Sequence, residues 1–342
     1  MMKFGLMFDF RNPAPWHRGY PEFYRAQLDE IVRAEELGYD NVWLTEHHFV
    51  EDGYNPAVLP VAAAIAVRTS RIRIGTFVLL MPFHNPVRLA EDAIAIDLLS
   101  NGRFDLGVGQ GYRAEEFAAL NQPRGQRTSR MAEGIDLVHR LFTQTDVSFA
   151  GKYTQVSNMT LYPRPVQSGG PPIWLGCRTA KATERAARMG FHLMATLGPD
   201  PAIPYRAALT AHGRDPRAYN IAQLRAVYVA PTADQAWADA APHLHYMMVM
   251  YAKWLAEAND AEGDRAIWEI KSPAQLRDSP IAEALMIGTP AEVARKIDQF
   301  RTEYTCTHFV MATQLPGLDP AKATRSLELF AREVMPRYRT DG

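Results

Sequence analysis

Three stretches of the chain put chemistry-bearing side chains at the ends of apolar runs. Trp43-Leu44-Thr45-Glu46-His47-His48-Phe49 closes such a run with a carboxylate and two imidazoles. An imidazole gives or takes a proton near neutral pH, so one of them beside a bound ligand is enough for acid–base work. Backbone alternation sends His47 and His48 to opposite sides, so only one faces a common site. A histidine packed in the core is the competing reading at either position. Gly107-Val108-Gly109-Gln110-Gly111-Tyr112 follows another apolar run. Its glycines admit a flat ligand close to backbone N–H and C=O groups, or simply form a tight turn. Tyr112 stands where a dinucleotide fingerprint needs a third glycine, which argues against a Rossmann site. Pro172-Ile173-Trp174-Leu175-Gly176-Cys177-Arg178-Thr179 runs from a strand pattern into a helix start. Free N–H groups there, with Arg178 beside them, suit a phosphate; an ordinary capped helix with a surface arginine explains the same residues.

Other chemistries lack their residues. There is no GxxxxGK[ST], HExxH or GxSxG, and Cys177 and Cys306 are too few for a zinc set or a disulfide framework. Lys and Arg number 37 against 38 Asp and Glu, so the basic face that nucleic-acid binding demands is not expected. The opening MMKFGLMFDFRNP is broken by Asp9 and Arg11, and no run of 18 apolar residues follows. A cytoplasmic, reduced, soluble protein without membrane contact is the expectation.

These residues need elements to position them. Runs at 3–8, 41–45, 72–79, 104–109, 172–176, 192–196, 222–229 and 307–312 read as strands. Helical patterns follow at 21–37, 56–68, 86–99, 127–142, 179–189, 200–212, 232–258 and 320–335. Eight strand–helix units predict the α/β class and a (β/α)8 TIM barrel, with residues 1–342 as one domain and ligands at the C-terminal strand ends. An open doubly wound sheet is the alternative. Gly38 and Gly190 sit where helices close, and Pro56, Pro86 and Pro290 sit near helix starts. Two insertions are expected: a hairpin within 147–172, before strand 5, and a mobile lid at 258–279, between strands 7 and 8. A capped helix over 289–300 follows the second.

Taken together, WLTEHHF (43–49), GTFVLLMPFHNPVRLAED (75–92), NGRFDLGVGQGYRAEEF (101–117), PPIWLGCRTAKATERAARMG (171–190), IGTPAEVARKI (287–297) and SLELFAREVMP (326–336) resemble the bacterial luciferase-like flavin-dependent oxidoreductases. The resemblance implies a barrel that binds FMN, or in some branches the deazaflavin F420, at its C-terminal mouth. It makes His47 the active-site histidine and Arg178 and Thr179 the phosphate contacts. Gly109, Gln110 and Gly111 then lie along the isoalloxazine edge, and Glu116 at an acidic position linked to flavin affinity. Phe77 and Val78 are implied to share a non-prolyl cis peptide under the ring. Gly109-Gln110 replace the Cys-Arg pair of light-emitting members, so light emission is not expected. The implied activity is a two-component monooxygenase. A separate flavin reductase supplies reduced FMN, O2 adds to give a C4a-peroxyflavin behind a water-excluding lid, and a small apolar substrate is oxidised. Phe8, Phe10, Trp16, Phe49, Met81 and Phe83 are candidates for its pocket. A homodimer through the helices after strands 2 and 3 is also implied. Alternatives are F420-dependent hydride transfer, flavin binding without catalysis, and a metal-dependent hydrolase using Glu46, His47 and His48.

Overall fold

A computed structural model describes residues 2–195, 200–258 and 270–339. Eight strands form the barrel: β1 (Lys3–Phe8), β2 (Asn41–Leu44), β3 (Arg73–Thr76), β4 (Phe104–Gly109), β5 (Ile173–Gly176), β6 (His192–Ala195), β7 (Ile221–Val229) and β8 (His308–Ala312). All neighbours pair in parallel, and β8 closes on β1 as β6 closes on β7. Their helices are α1 (Tyr20–Glu36), α2 (Val58–Arg68), α3 (Pro86–Leu99), α4 (Arg127–Thr143), α5 (Ala180–Met189), α6 (Ala202–Ala211), α7 (Ala233–Glu257) and α8 (Pro320–Glu333). This is the (β/α)8 barrel that the strand count predicts.

The third strand departs from its expected run. It stops at Thr76, the Phe77–Val78 peptide is cis, and Leu79–Leu80 resumes pairing on β4. Hydrophobic pattern carries no signal for a peptide isomer, so 72–79 reads as continuous. Helix α2 starts at Val58, leaving Pro56 ahead of its cap. Before β5, Val147–Ala150 and Gln155–Met159 pair as an antiparallel hairpin. Thr289 caps Pro290–Glu303 with a reciprocal bond to Glu292. Residue 196 of the expected sixth strand and 259–269 of the expected lid lie outside the described residues.

Alternation divides β1 cleanly. Phe4, Leu6 and Phe8 face the helices, with Phe4 meeting Phe309 and Phe330, whereas Gly5 and Met7 face the barrel axis. Two indoles fill the interior: Trp43 and Trp174 cross at 78° with centroids 5.4 Å apart, walled by Met7, Phe77, Met194 and Val310. Such bulk fits only because neighbouring strands carry glycine. A Cβ on Gly75 would lie 2.2 Å from Trp43 and one on Gly5 2.7 Å from it; Gly107 instead makes room for β3, since a Cβ there would lie 1.8 Å from the Thr76 carbonyl oxygen.

Helix α7 is the unusual crossover. Its 25 residues give a rod of about 37 Å. Asp239 pairs with Lys322 of α8, and His243 bonds the Pro316 carbonyl beyond β8. Tyr246 and Tyr251 reach the loop after β2, and the Ala258 carbonyl accepts from Arg124 after β4. The second half of α7 therefore runs across the C-terminal mouth. Among the described residues, no helix is long and apolar enough to cross a membrane. The packing predicts that Gly107→Ala costs about 3 kcal/mol, because its Cβ meets backbone that cannot swing aside. Urea denaturation tests this, and a midpoint matching wild type would contradict it.

Candidate active site

The chain leaves β2 into a rim tied by backbone bonds. Asn12 N–H donates to Asp52 O, Asn55 N–H to Asp9 O, and His47 N–H to Asn55 O. His47 continues the inward parity of Trp43 and Thr45, so its ring comes over the barrel mouth. Its Nδ1 lies 2.8 Å from Glu116 Oε1, and both side chains are buried. The same oxygen accepts from His48 N–H at 2.9 Å and Arg113 Nη1 at 3.3 Å. Burial pushes the Glu116 carboxyl up, but the His47 and His48 bonds and the Arg113 charge outweigh it and hold it below its usual value. An ionised carboxylate only accepts, so His47 Nδ1 carries a proton and donates it to Glu116, which leaves Nε2 as the ring nitrogen not held by that pair. Nε2 has no protein partner among the described residues. Tyr54, Tyr112, Tyr251 and Trp254 surround the imidazole with ring centroids 4.8–6.3 Å away.

His48 points the other way, as alternation requires, and serves a different carboxylate. Glu46 is buried and accepts from His48 Nε2 at 2.8 Å, His84 Nε2 at 3.0 Å and Leu80 N–H at 2.6 Å. Burial pushes Glu46 up, but the two histidines and the Leu80 N–H more than reverse this and bring it down to about 2. Glu46 thereby ties the end of β2 to the segment that follows the cis peptide.

Val78 sits between β4 and β5. A Cβ on Gly109 would fall 2.5 Å from its Cγ2, and one on Gly176 would fall 3.1 Å from its Cγ1. The glycine at 109 is thus required by Val78, a reason the sequence does not reveal. Gly111 takes φ +69°, which needs its missing side chain. Gln110 does not join His47; its Oε1 accepts from Thr128 Oγ1 at 2.6 Å. Arg178 and Thr179 are exposed at the start of α5, where Thr179 caps the Ala182 N–H. Tyr112 bridges the two groups: its ring meets His47, while its buried hydroxyl has no partner among the described residues and feels the charge of Arg178.

Arg11, Asp52, Tyr54, Tyr246, Tyr251 and Trp254 complete the rim, and sequence reasoning missed them. Arg11 and Asp52 form a fully buried pair, Nε to Oδ2 at 2.7 Å. Arg11 follows a strand end, the one signal that pointed to it; nothing in the pattern of α7 says that the helix crosses the mouth. The aromatic pocket expected from Phe8, Phe10, Trp16, Phe49, Met81 and Phe83 does not assemble. Phe8, Phe10 and Met81 belong to the main core, Trp16 packs on His243, Phe49 is exposed, and Phe83 packs on Phe117.

The luciferase-like monooxygenase family model matches residues 2–305, and the chain belongs to that family. It is an enzyme of the oxidoreductase class that the family comprises. The oxygenase component of flavin-dependent trigonelline monooxygenase from Acinetobacter baylyi is 25% identical over 332 residues, covering 93% of this chain and 90% of that protein. An F420-dependent glucose-6-phosphate dehydrogenase from Amycolatopsis mediterranei is 35% identical over 181 residues, 51% of this chain and 54% of that protein. Among solved structures, monooxygenase RslO1 from Streptomyces bottropensis superposes with a TM-score of 0.85 at 27% identity, covering 98% of this chain and 100% of that one. Family neighbours thus include both flavin-dependent and F420-dependent enzymes.

The Glu46 network makes a pH prediction. A lowered folded value means a stabilisation present above the usual carboxyl value of 4.5 and lost as pH falls toward about 2. Glu46→Gln should cost about 3 kcal/mol at pH 7, and the gap from wild type should narrow at acid pH. Urea melts at pH 7, 5 and 3.5 measure this; a gap independent of pH would refute it.

Proposed function

We propose that this enzyme is the oxygenase of a two-component monooxygenase, using reduced FMN and O2 to oxidise a small organic substrate. The observation that carries the reading is the buried His47–Glu116 pair at the end of β2, with Nε2 unpartnered among the described residues and aromatic rings around it.

The residues fit a flavin mononucleotide at three points. The Ala180 and Lys181 N–H groups at the start of α5 have no partner among the described residues, and Arg178 lies beside them to hold a phosphate dianion. Val78, set between Gly109 and Gly176, supports a flat ring. Tyr112 Oη, buried without a partner among the described residues and within reach of the Arg178 charge, offers a polar contact. Reduced FMN, when bound, supplies the electrons that activate O2 for transfer of one oxygen atom to the substrate. His47 takes or returns a proton through Nε2. Glu116 keeps the ring in one tautomer and stabilises its protonated form. Tyr251 and Trp254, brought over by α7, exclude water from that proton exchange.

A separate flavin reductase is the proposed partner, supported by the trigonelline relative being itself an oxygenase component. The proposed homodimer uses α2 and α3, on which Val67, Leu98 and Leu99 remain exposed.

Two experiments test the reading. Equilibrium titration of the purified protein should show reduced FMN binding at least about tenfold tighter than F420. Arg178→Ala should weaken FMN about tenfold and leave riboflavin unchanged, because only the phosphate contact is lost. The opposite cofactor preference would replace this reading with hydride transfer from F420. In the second experiment, a reductase and NADH are supplied with a turned-over substrate. His47→Gln should lower product formation about 100-fold while FMN affinity stays within about twofold. Undiminished turnover would remove His47 from the chemistry.

A further inference from the structure

Positive charge collects on one sector of the mouth. The segment leaving β4 carries Arg124, Arg127 and Arg130, and the segment leaving β5 carries Arg178, Lys181 and Arg185. The Gln110–Tyr112 loop touches both: Thr128 bonds Gln110, Arg124 Nε donates to the Tyr112 carbonyl, and the Arg178 charge reaches the Tyr112 hydroxyl. All six cations are exposed or half-buried. Arg124 and Arg127 bond backbone carbonyls, and Arg130 bonds Gln126 and lies over Tyr153, but among the described residues none of the six forms an ion pair with a carboxylate. Neutral partners leave the full charge in place. The nearby acids serve other groups, Glu133 accepting N–H bonds from the hairpin turn and Glu184 pairing with His212. On the helices after β1, β2 and β3, by contrast, Arg33, Arg68 and Arg88 each have a carboxylate partner. The chain as a whole carries −1, so the excess is local.

Folding gives no reason for it. Cations favour the C-terminal end of a helix, whereas at the N-terminal end they meet the positive pole of the macrodipole. Neither α4 nor α5 has an acid in its first turn to offset them. Lys181 and Arg185, four residues apart on α5, share one flank and repel each other. The Tyr112 hydroxyl, buried beside Arg178 without a partner among the described residues, is a separate sign that a polar group from outside belongs at this place.

We propose that this sector steers a phosphorylated flavin to the mouth, with Arg130 and Arg185 acting on the phosphate through their field rather than by holding it. The proposal rests on the FMN reading and adds how the cofactor arrives. A phosphate monoester carries nearly two negative charges at neutral pH, and riboflavin has the same ring without them. Rim charges of this kind raise the rate of encounter and leave dissociation almost unchanged. Salt shortens their reach from about 30 Å at 0.01 M to about 3 Å at 1 M.

Anaerobic stopped-flow mixing of the whole protein with reduced FMN or reduced riboflavin, followed by tryptophan fluorescence, tests it. At about 0.01 M salt FMN should associate at least about tenfold faster than riboflavin, and the advantage should vanish at about 1 M. Arg130→Glu with Arg185→Glu should slow FMN association about tenfold at low salt, keep its dissociation within about twofold and leave riboflavin unchanged. Arg295→Glu with Arg325→Glu makes the same change in net charge at exposed positions of the Pro290–Glu303 helix and α8, and should leave FMN association within about twofold of wild type. Equal association of the two flavins at low salt overturns the proposal, as does an advantage that survives at about 1 M. A loss that appears in dissociation makes Arg130 and Arg185 phosphate contacts and also overturns it; an equal loss from the second pair assigns the effect to net charge, with the same result. The wild-type salt series needs no variant, so a misfolded pair leaves the test decisive. FMN that binds at a salt-independent rate removes this proposal alone, whereas FMN that fails to bind at either salt removes the cofactor reading with it.

Discussion

One buried carboxylate oxygen connects the two loops on which the site is built. Glu116 Oε1 comes from the segment after β4, and it gathers the His47 ring, the His48 backbone N–H and the Arg113 guanidinium from the rims of β2 and β4. Without an ionised acceptor at that point, the His47 ring and the His48 N–H would both lose their partner, Arg113 would keep the His48 carbonyl and Glu115, and the imidazole would be free to rotate or change tautomer. Burial alone would raise the carboxyl, and the same donors together stabilise its charged form more than burial penalises it. The orientation of the His47 ring and the charge on Glu116 therefore have one cause.

A second carboxylate, Glu46, works on the opposite face of β2. It secures the segment that begins at the cis peptide, and so places Val78 between Gly109 and Gly176. The site thus has two supports behind it, one for the imidazole and one for the ledge, each an anion surrounded by N–H donors. Helix α7 supplies what neither loop has, a cover of aromatic rings. Trp254 lies between Arg113 and Arg11 with centroid distances of 4.6 and 5.6 Å, which holds the helix against cations from two separate strand ends.

Much of this was legible from residue types. Short β-branched and aromatic runs mark seven barrel strands closely, and alternation after β2 accounts for His47 and His48 facing opposite ways. The Gly38 and Gly190 helix ends take φ +84° and +73°, as helix closure demands. Val78 shows where such reading stops. Its run is apolar throughout, and its neighbour Gly109 reads as space for a ligand, whereas that space belongs to the Val78 side chain. Arg11 carries no such signal, because an arginine after a strand is ordinarily solvated; the rings of α7, more than 230 positions away, join Tyr54 in covering it.

Local sequence by itself determined the strands, the helix ends, the glycines at positive φ and the direction of His47, because backbone sterics and side-chain alternation act over a few residues. The ion pairs, the proton positions and the aromatic cover were decided only when the barrel closed. They depend on charges and rings brought together from strands 1, 2 and 4 and from α7, and the free energy of a buried charge is set by those distant neighbours rather than by the residues beside it in the chain.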